Sequence, residues 1–225
     1  MLDSEDNNQE VSRIGGLYNN YKFSVADLDS DNDVDIIRRR NSCLRIWDED
    51  HGDREVDCSG SAYDNQNGQD VADYDDDGHL EFLAVDGDNV YVWDDIHNGA
   101  SSANRERLYD PENYDDGGQH LFGRSDQYYQ VQGNGLEVVD ADRDGNKEVY
   151  VPVYDNDRNH EGIVSYEPAT DEVNIVVHTR NNDVGSDQRD GLVGYADMEN
   201  DNDLDLIYSD DNYDNNIEFF DMGTR

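Results

Sequence analysis

The sequence predicts an all-β fold: a β-propeller of four blades, each of about four antiparallel strands, in a single domain over residues 1–225. Three observations carry this expectation. A nine-residue acidic loop occurs four times, short β-branched and aromatic runs flank each copy at matching offsets, and an N-terminal run is available to complete a last unit that ends one strand short. Repeats of this length point to blades or solenoids before other architectures.

The clearest loop is Asp140-Ala-Asp-Arg-Asp-Gly-Asn-Lys-Glu148, with carboxylates at positions 1, 3, 5 and 9 and glycine at position 6. Such a loop folds its oxygens around one hard cation. Ca²⁺ suits it, taking six to eight oxygen ligands in a flexible geometry, whereas Mg²⁺ demands a stricter octahedron. The other copies begin at Asp27, Asp73 and Asp197, giving start-to-start spacings of 46, 67 and 57 residues. Position 6 is Gly or Asn each time, the residues that tolerate a left-handed backbone, and position 9 is always acidic.

In chain order, the first blade (about 21–60) reads as Lys22–Ala26, the loop, Val34–Arg38, Cys43–Trp47 and Arg54–Cys58. Each run is about five residues long and bounded by Gly, Asn or Asp, which is strand punctuation. The second blade (about 69–130) has Asp70–Ala72, Leu80–Val85 and Val90–Trp93. The third (about 135–180) has Leu136–Val139, Glu148–Val153, Ile163–Tyr166 and Val173–Val177. The fourth (about 190–221) has Leu192–Ala196, Leu204–Tyr208 and Ile217–Phe220. Glu10–Ile14 is expected to supply its missing outer strand (residues 10–15), because closing the ring removes exposed sheet edges.

The formal net charge is −40, and Leu, Ile, Val and Phe make only 46 of 225 residues. That fraction touches the boundary for disorder. The phase between apolar runs and acidic loops argues for a folded chain instead. Only two lysines (Lys22, Lys147) stand against fourteen arginines. Acid-rich, lysine-poor chains resemble proteins of extreme halophiles. At molar salt the screening length falls to about 3 Å and self-repulsion is suppressed. No basic patch is available to displace counterions, so nucleic acid is not an expected partner. No apolar stretch is long enough for a bilayer span and no signal peptide follows Met1, so direct membrane insertion is not expected. The chain reads as cytoplasmic or as one shorn of a leader.

The pattern Asp-x-Asp-x-Asp-Gly-x-x-Asp between short strands, with an aromatic-ended strand following, resembles the FG-GAP and VCBS-type repeats of calcium-binding propellers, including those of integrin α-subunits. The resemblance runs through all four units. Asn32 and Asn202 replace the glycine, Glu199 replaces Asp at position 3, and the Phe-Gly and Gly-Ala-Pro signatures are absent. The resemblance implies up to four Ca²⁺ ions, held by side chains at positions 1, 3, 5 and 9 and the backbone carbonyl at 7. The side chains would be Asp27, Asp29, Asp31 and Asp35; Asp73, Asp75, Asp77 and Glu81; Asp140, Asp142, Asp144 and Glu148; and Asp197, Glu199, Asp201 and Asp205. The carbonyls would be those of Asp33, His79, Asn146 and Asp203. An EF-hand would need an acid at position 12, where this chain has Arg38, Ala84, Val151 and Tyr208.

Cys43 and Cys58 flank the turn at Asp50 and His51, and pairing residues that sum to 101 sets them opposite one another, as it does Ile46 with Glu55 and Leu44 with Asp57. A cross-strand disulfide and two reduced apolar side chains both fit; the bridge, which suits an oxidising setting, is the adopted expectation. The segment from Ile96 to Asn134 is longer than its counterpart and carries Arg105, Arg107, Tyr109, Tyr114, His120, Tyr128 and Tyr129. Arginines beside aromatics suit a sugar or protein ligand, while the same residues also serve as an outer strand with a polar connection.

The histidines are scattered and the carboxylates too numerous for any acid–base pair to stand out, so an enzyme is not the leading expectation. The expected function is an adhesion or recognition module, binding a surface glycan or protein outside the cell or on a cell or virion surface, within a larger surface or viral assembly. A polysaccharide lyase or hydrolase and a purely structural subunit are the alternatives. The charge generates a prediction of its own. The melting temperature should rise as KCl goes from about 0.1 M to about 2 M; a scanning-calorimetry series that stays flat would remove the salt-adapted reading.

Overall fold

The computed structural model describes residues 2–3, 9–10, 23–40, 43–58, 68–86, 89–94, 96, 105–109, 129–131, 135–155, 160–170, 172–180, 191–198, 200, 204–210 and 216–221. All of the regular structure among them is strand, apart from turns and a single short helical turn at Ile96. β1 (Leu2–Asp3) pairs with β2 (Gln9–Glu10). The first unit is β3 (Phe23–Ala26), β4 (Asp35–Arg40), β5 (Cys43–Asp48) and β6 (Gly52–Asp57). The second is β7 (Gln69–Ala72), β8 (Glu81–Asp86), β9 (Asn89–Trp93) and β10 (Arg105–Tyr109). The third unit comprises β11 (Tyr129–Val131), β12 (Glu137–Val139), β13 (Glu148–Asp155), β14 (His160–Glu167) and β15 (Glu172–Arg180). The fourth is β16 (Gly191–Ala196), β17 (Asp205–Asp210) and β18 (Asn216–Asp221).

Each unit is an antiparallel meander, and the four sheets contain four, four, five and three strands, consistent with propeller blades. Closure of a ring is not detected among the described residues. Glu10 lies opposite Leu2 in a local pair, and among the described residues the fourth sheet has no outer strand from the N-terminus. A short local connection costs less loop entropy than a pairing across nearly the whole chain. Residues 11–14 lie outside the described set. Tyr129–Val131, which the sequence reading assigned to the second blade, hydrogen-bonds to the far half of β13, in line with β12 on the same edge.

The apolar alternation of each strand feeds two different neighbours. Leu28, Ile37, Leu44 and Ile46 of the first unit pack with Phe82, Ala84, Trp93 and Ile96 of the second. The opposite face of the second sheet, with Leu83, Val85, Val90 and Val92, packs on Val138, Val149, Val151 and Val164 of the third. Ala141, Tyr150 and Ile163 of the third sheet meet Leu206 and Tyr208 of the fourth. Strands buried on both faces explain why runs such as Glu81–Val85 read as nearly continuous apolar stretches.

Buried polar side chains bind consecutive sheets together. The guanidinium of Arg39 donates to the carbonyls of Val85 and Gly68, both at 2.8 Å. The indole of Trp93 donates to Asp57 at 2.9 Å, and the amide of Gln69 to the hydroxyl of Ser24 at 2.9 Å. Asp70 accepts the Val138 backbone N–H at 2.9 Å, linking the inner strands of the second and third units.

Cys43 and Cys58 are joined, with an S–S distance of 2.08 Å. The register between them is not a uniform sum of 101. Leu44 pairs with Asp57 as expected, but Ile46 lies opposite Arg54 rather than Glu55. The hairpin closes on Asp48 and Gly52, with Gly52 at φ +73°, and a bulge then restores the cysteines' register.

Gly68 lies at a close approach between the second and third units. A Cβ there would stand 2.8 Å from Val85 Cγ2 and 2.9 Å from the Gly135 carbonyl oxygen. Gly68→Ala is therefore expected to destabilise the protein by about 1–3 kcal/mol. Denaturant midpoints in molar salt measure this, and an unchanged midpoint would show that the Gly135 backbone yields freely.

Candidate metal centres

The acidic loops share one internal hydrogen-bond scheme. The position-2 N–H donates to the position-9 carboxylate in each: Leu28 to Asp35 at 2.9 Å, Tyr74 to Glu81 at 2.9 Å, Ala141 to Glu148 at 3.0 Å and Met198 to Asp205 at 2.7 Å. Position 1 then accepts from position 6: Asn32 to Asp27 at 3.0 Å, Gly78 to Asp73 at 3.2 Å and Gly145 to Asp140 at 3.1 Å. The N–H at position 7 donates to the position-5 carboxylate at 2.8 Å in the first three loops, from Asp33, His79 and Asn146. These bonds coil the chain so that alternate acids converge.

Carboxylate oxygens gather within 4.8 Å of one another in three groups: Asp27, Asp29 and Asp31; Asp73, Asp75 and Glu81; and Asp140, Asp142, Asp144 and Glu148. The third loop brings all of its expected side chains together. Asp35 and Asp77 stand outside the first and second groups. In the fourth loop Asp197 and Asp205 are described, while Glu199, Asp201 and Asp203 lie outside the described residues. Cys43, Glu55 and Cys58 also cluster, but the disulfide takes both sulfurs out of thiolate chemistry.

Left-handed backbone occurs where glycine or asparagine forecast it, at Asn32, Gly78 and Gly145, with φ between +75° and +100°. It also occurs at position 4, in Ser30, Asp76, Arg143 and Asn200, with φ between +59° and +62°. No common residue type signals this, so sequence reasoning missed it. A left-handed non-glycine residue costs roughly 1–2 kcal/mol, and the surrounding hydrogen bonds hold it in place.

The position-9 acids are the buried members of each set, and Glu81 is 0% exposed. Burial first, and then the charges of Asp75, Asp77 and Asp73, push Glu81 up to about 7. Burial and then Asp142 do the same to Glu148, also to about 7. Asp35 and Asp75 are raised in the same direction, chiefly by burial. Glu81 Oε1, Asp73 Oδ1 and Asp140 Oδ1 are buried without a hydrogen-bond partner. A divalent cation would supply what these oxygens lack, and all-oxygen donors of this kind suit a hard ion.

Lys147, at position 8 of the third loop, reaches across to the second, donating to the Asp73 carbonyl and pairing with the Asp76 carboxylate. Between these loops lies a cleft of about 220 Å³, bordered by Tyr74, Asp75, Asp76, Asn146, Lys147, Pro168 and Ala169. Tyr74's hydroxyl is pushed up to about 12 by burial and by Asp75, so it stays protonated.

The arginine- and tyrosine-rich segment distributes differently. Arg105 lies on the outer strand of the second sheet, its guanidinium 3.6 Å from the centre of the Tyr91 ring and 5.2 Å from that of Trp93. It packs against its own sheet. Arg107 is on the same strand and exposed. The backbone of Tyr109 ends β10 and that of Tyr129 begins β11, whereas Tyr114, His120 and Tyr128 lie outside the described residues.

Comparison with protein-family models, curated proteins and solved structures found no match to this chain.

A pH dependence follows from the buried glutamates. Their folded pKa of about 7 exceeds the ordinary 4.5, so without metal the native state holds protons that the unfolded chain has released. Their stabilisation is complete below about 4.5 and lost as pH rises through about 7. Asp48 and Asp53, held below 3.8 because hydrogen bonds outweigh their burial, have the opposite sign but act only at lower pH. In chelator the melting temperature should therefore fall between pH 5 and 8. Excess Ca²⁺, which competes with those protons, should flatten the trend; a chelated protein that gains stability with pH would contradict the assignment.

Proposed function

We propose that this protein is a calcium-stabilised β-propeller of the FG-GAP/VCBS kind, working as a recognition or adhesion module for a glycan or protein at a cell or virion surface. The observation that carries the calcium reading is the set of buried, partnerless carboxylate oxygens on Asp73, Glu81 and Asp140, each within a convergent acidic group. In the third loop Asp140, Asp142, Asp144 and Glu148 would hold the ion. In the second, Asp73, Asp75 and Glu81 would do so, with Asp77 as a further donor. In the first, Asp27, Asp29 and Asp31 are the donors. The ion's role is structural: it neutralises acids that the loop has already drawn together. Occupancy at 100 times the dissociation constant adds about 2.7 kcal/mol per independent site.

The Cys43–Cys58 disulfide supports an oxidising, extracellular setting. The cleft between the second and third loops supports recognition, since it combines the Tyr74 ring with polar groups in a position that ion binding would rigidify. The remaining readings, catalysis and a purely structural role, draw no specific support from the geometry.

Glu148→Gln separates the metal from the fold. The amide oxygen still accepts the Ala141 N–H, but the charge is gone. Calorimetric titration in molar KCl should show one Ca²⁺ fewer per chain, with circular dichroism unchanged. Unaltered stoichiometry would remove Glu148 from the site, and no calcium uptake at all would end the reading. A glycan array in the same buffer, with and without chelator, tests recognition: calcium-dependent capture supports it, and silence in both arms favours a scaffold.

A further inference from the structure

The interior boundaries between sheets obey one register. In each loop-and-strand unit the residue after the position-9 acid faces the preceding sheet and the next residue faces the following one. Phe82 packs back on the first unit and Leu83 forward on the third. Val149 packs back on the second and Tyr150 forward on the fourth. The loops follow the same rule. At position 2, Leu28, Tyr74 and Ala141 each pack forward. At position 8, Leu80 packs back on the first unit and Lys147 reaches back to the second.

At the two ends of the array these positions are bare. Val34, the position-8 residue of the first unit, is 51% exposed, and Met198, the position-2 residue of the fourth, is also 51% exposed. Phe23 and Val25 beside the one, and Ile217 and Phe219 beside the other, are 54–59% exposed. The backward face of the first sheet and the forward face of the fourth thus carry apolar side chains at positions whose equivalents are covered elsewhere. Exposed aromatic and branched residues gathered on a single face mark an interaction surface.

We propose that these faces dock on one another between two copies of this chain. The forward face of the fourth sheet of one copy packs on the backward face of the first sheet of its partner, and the reciprocal contact closes a ring of eight sheets. The register supplies the argument for this occupant. A surface that mates with a forward face is a backward face, and the chain itself carries one of each. Within a single copy the two remain exposed, so they do not satisfy each other there. A head-to-tail contact made twice closes a pair, and eight blades lie within the range that propellers adopt. The net charge of −40 per chain opposes association, which screening in molar salt relieves. The ring rests on the blade reading above but not on calcium, so ion titration and particle mass fail independently.

Sedimentation equilibrium in molar KCl with Ca²⁺ tests the proposal. The unsubstituted protein is expected to run as two chains. Val25→Asp and Phe219→Asp, each at an exposed site on a different sheet, should both raise the dissociation constant by roughly 100-fold or more while leaving the circular dichroism unchanged. A single-chain mass for the unsubstituted protein at every concentration overturns the proposal. So does a two-chain particle that resists both substitutions. A particle sensitive to only one of them also overturns it, because that is the signature of like faces meeting.

Discussion

The bond from the position-2 amide to the position-9 carboxylate is the constraint on which the rest depends. It recurs in every acidic loop, and each time the acceptor is among the most buried acids of the chain. One bond does two jobs. It fixes the exit of the loop into the next strand, so the strand starts in a defined register. In the second and third loops it also holds Glu81 and Glu148 out of water beside two and three further carboxylates, an arrangement that raises their pKa and favours either a proton or a cation. The loop and the strand that leaves it are thereby one unit.

The register carries this local device into the packing. Because side chains alternate across a strand, starting each strand at the same point sends successive residues to opposite neighbours. Phe82 and Leu83 are adjacent in sequence and belong to different cores. The polar links use the same geometry: Arg39 crosses to the Gly68 carbonyl, and Lys147 crosses to the Asp73 carbonyl. Each connects a sheet or loop to its neighbour rather than to itself. A change in one loop therefore reaches an inter-sheet boundary as well as a hairpin.

The extreme charge acquires a physical place in this picture. Of the chain's carboxylates, those in the loops are concentrated by the fold, and the remainder are spread over a surface with few lysines to offset them. Salt screens the spread charges, but screening reaches buried groups poorly. A cation in the loops, as proposed above, would neutralise charge that ionic strength reaches poorly.

Much of this was legible without coordinates. Nine-residue spacing determined the loops, apolar alternation the strands beside them, and cysteine placement a pairing across the hairpin, because all three are properties of neighbours in the chain. The turn at Gly52 shifted the hairpin's register by a residue, which pair sums could not reveal since a bulge at Val56 restores it. Left-handed residues at position 4 were equally hidden, because Ser30, Asp76, Arg143 and Asn200 share no chemistry and owe their backbone to the bonds around them. Sequence alone marked the acids that converge in the third loop and most of those in the first and second, since convergence within nine residues is largely local, but it did not set Asp35 and Asp77 apart. Tertiary structure decided which of them are buried, where Arg105 and Lys147 reach, and which two sheet faces stand uncovered, because each of those depends on what a neighbouring sheet presents.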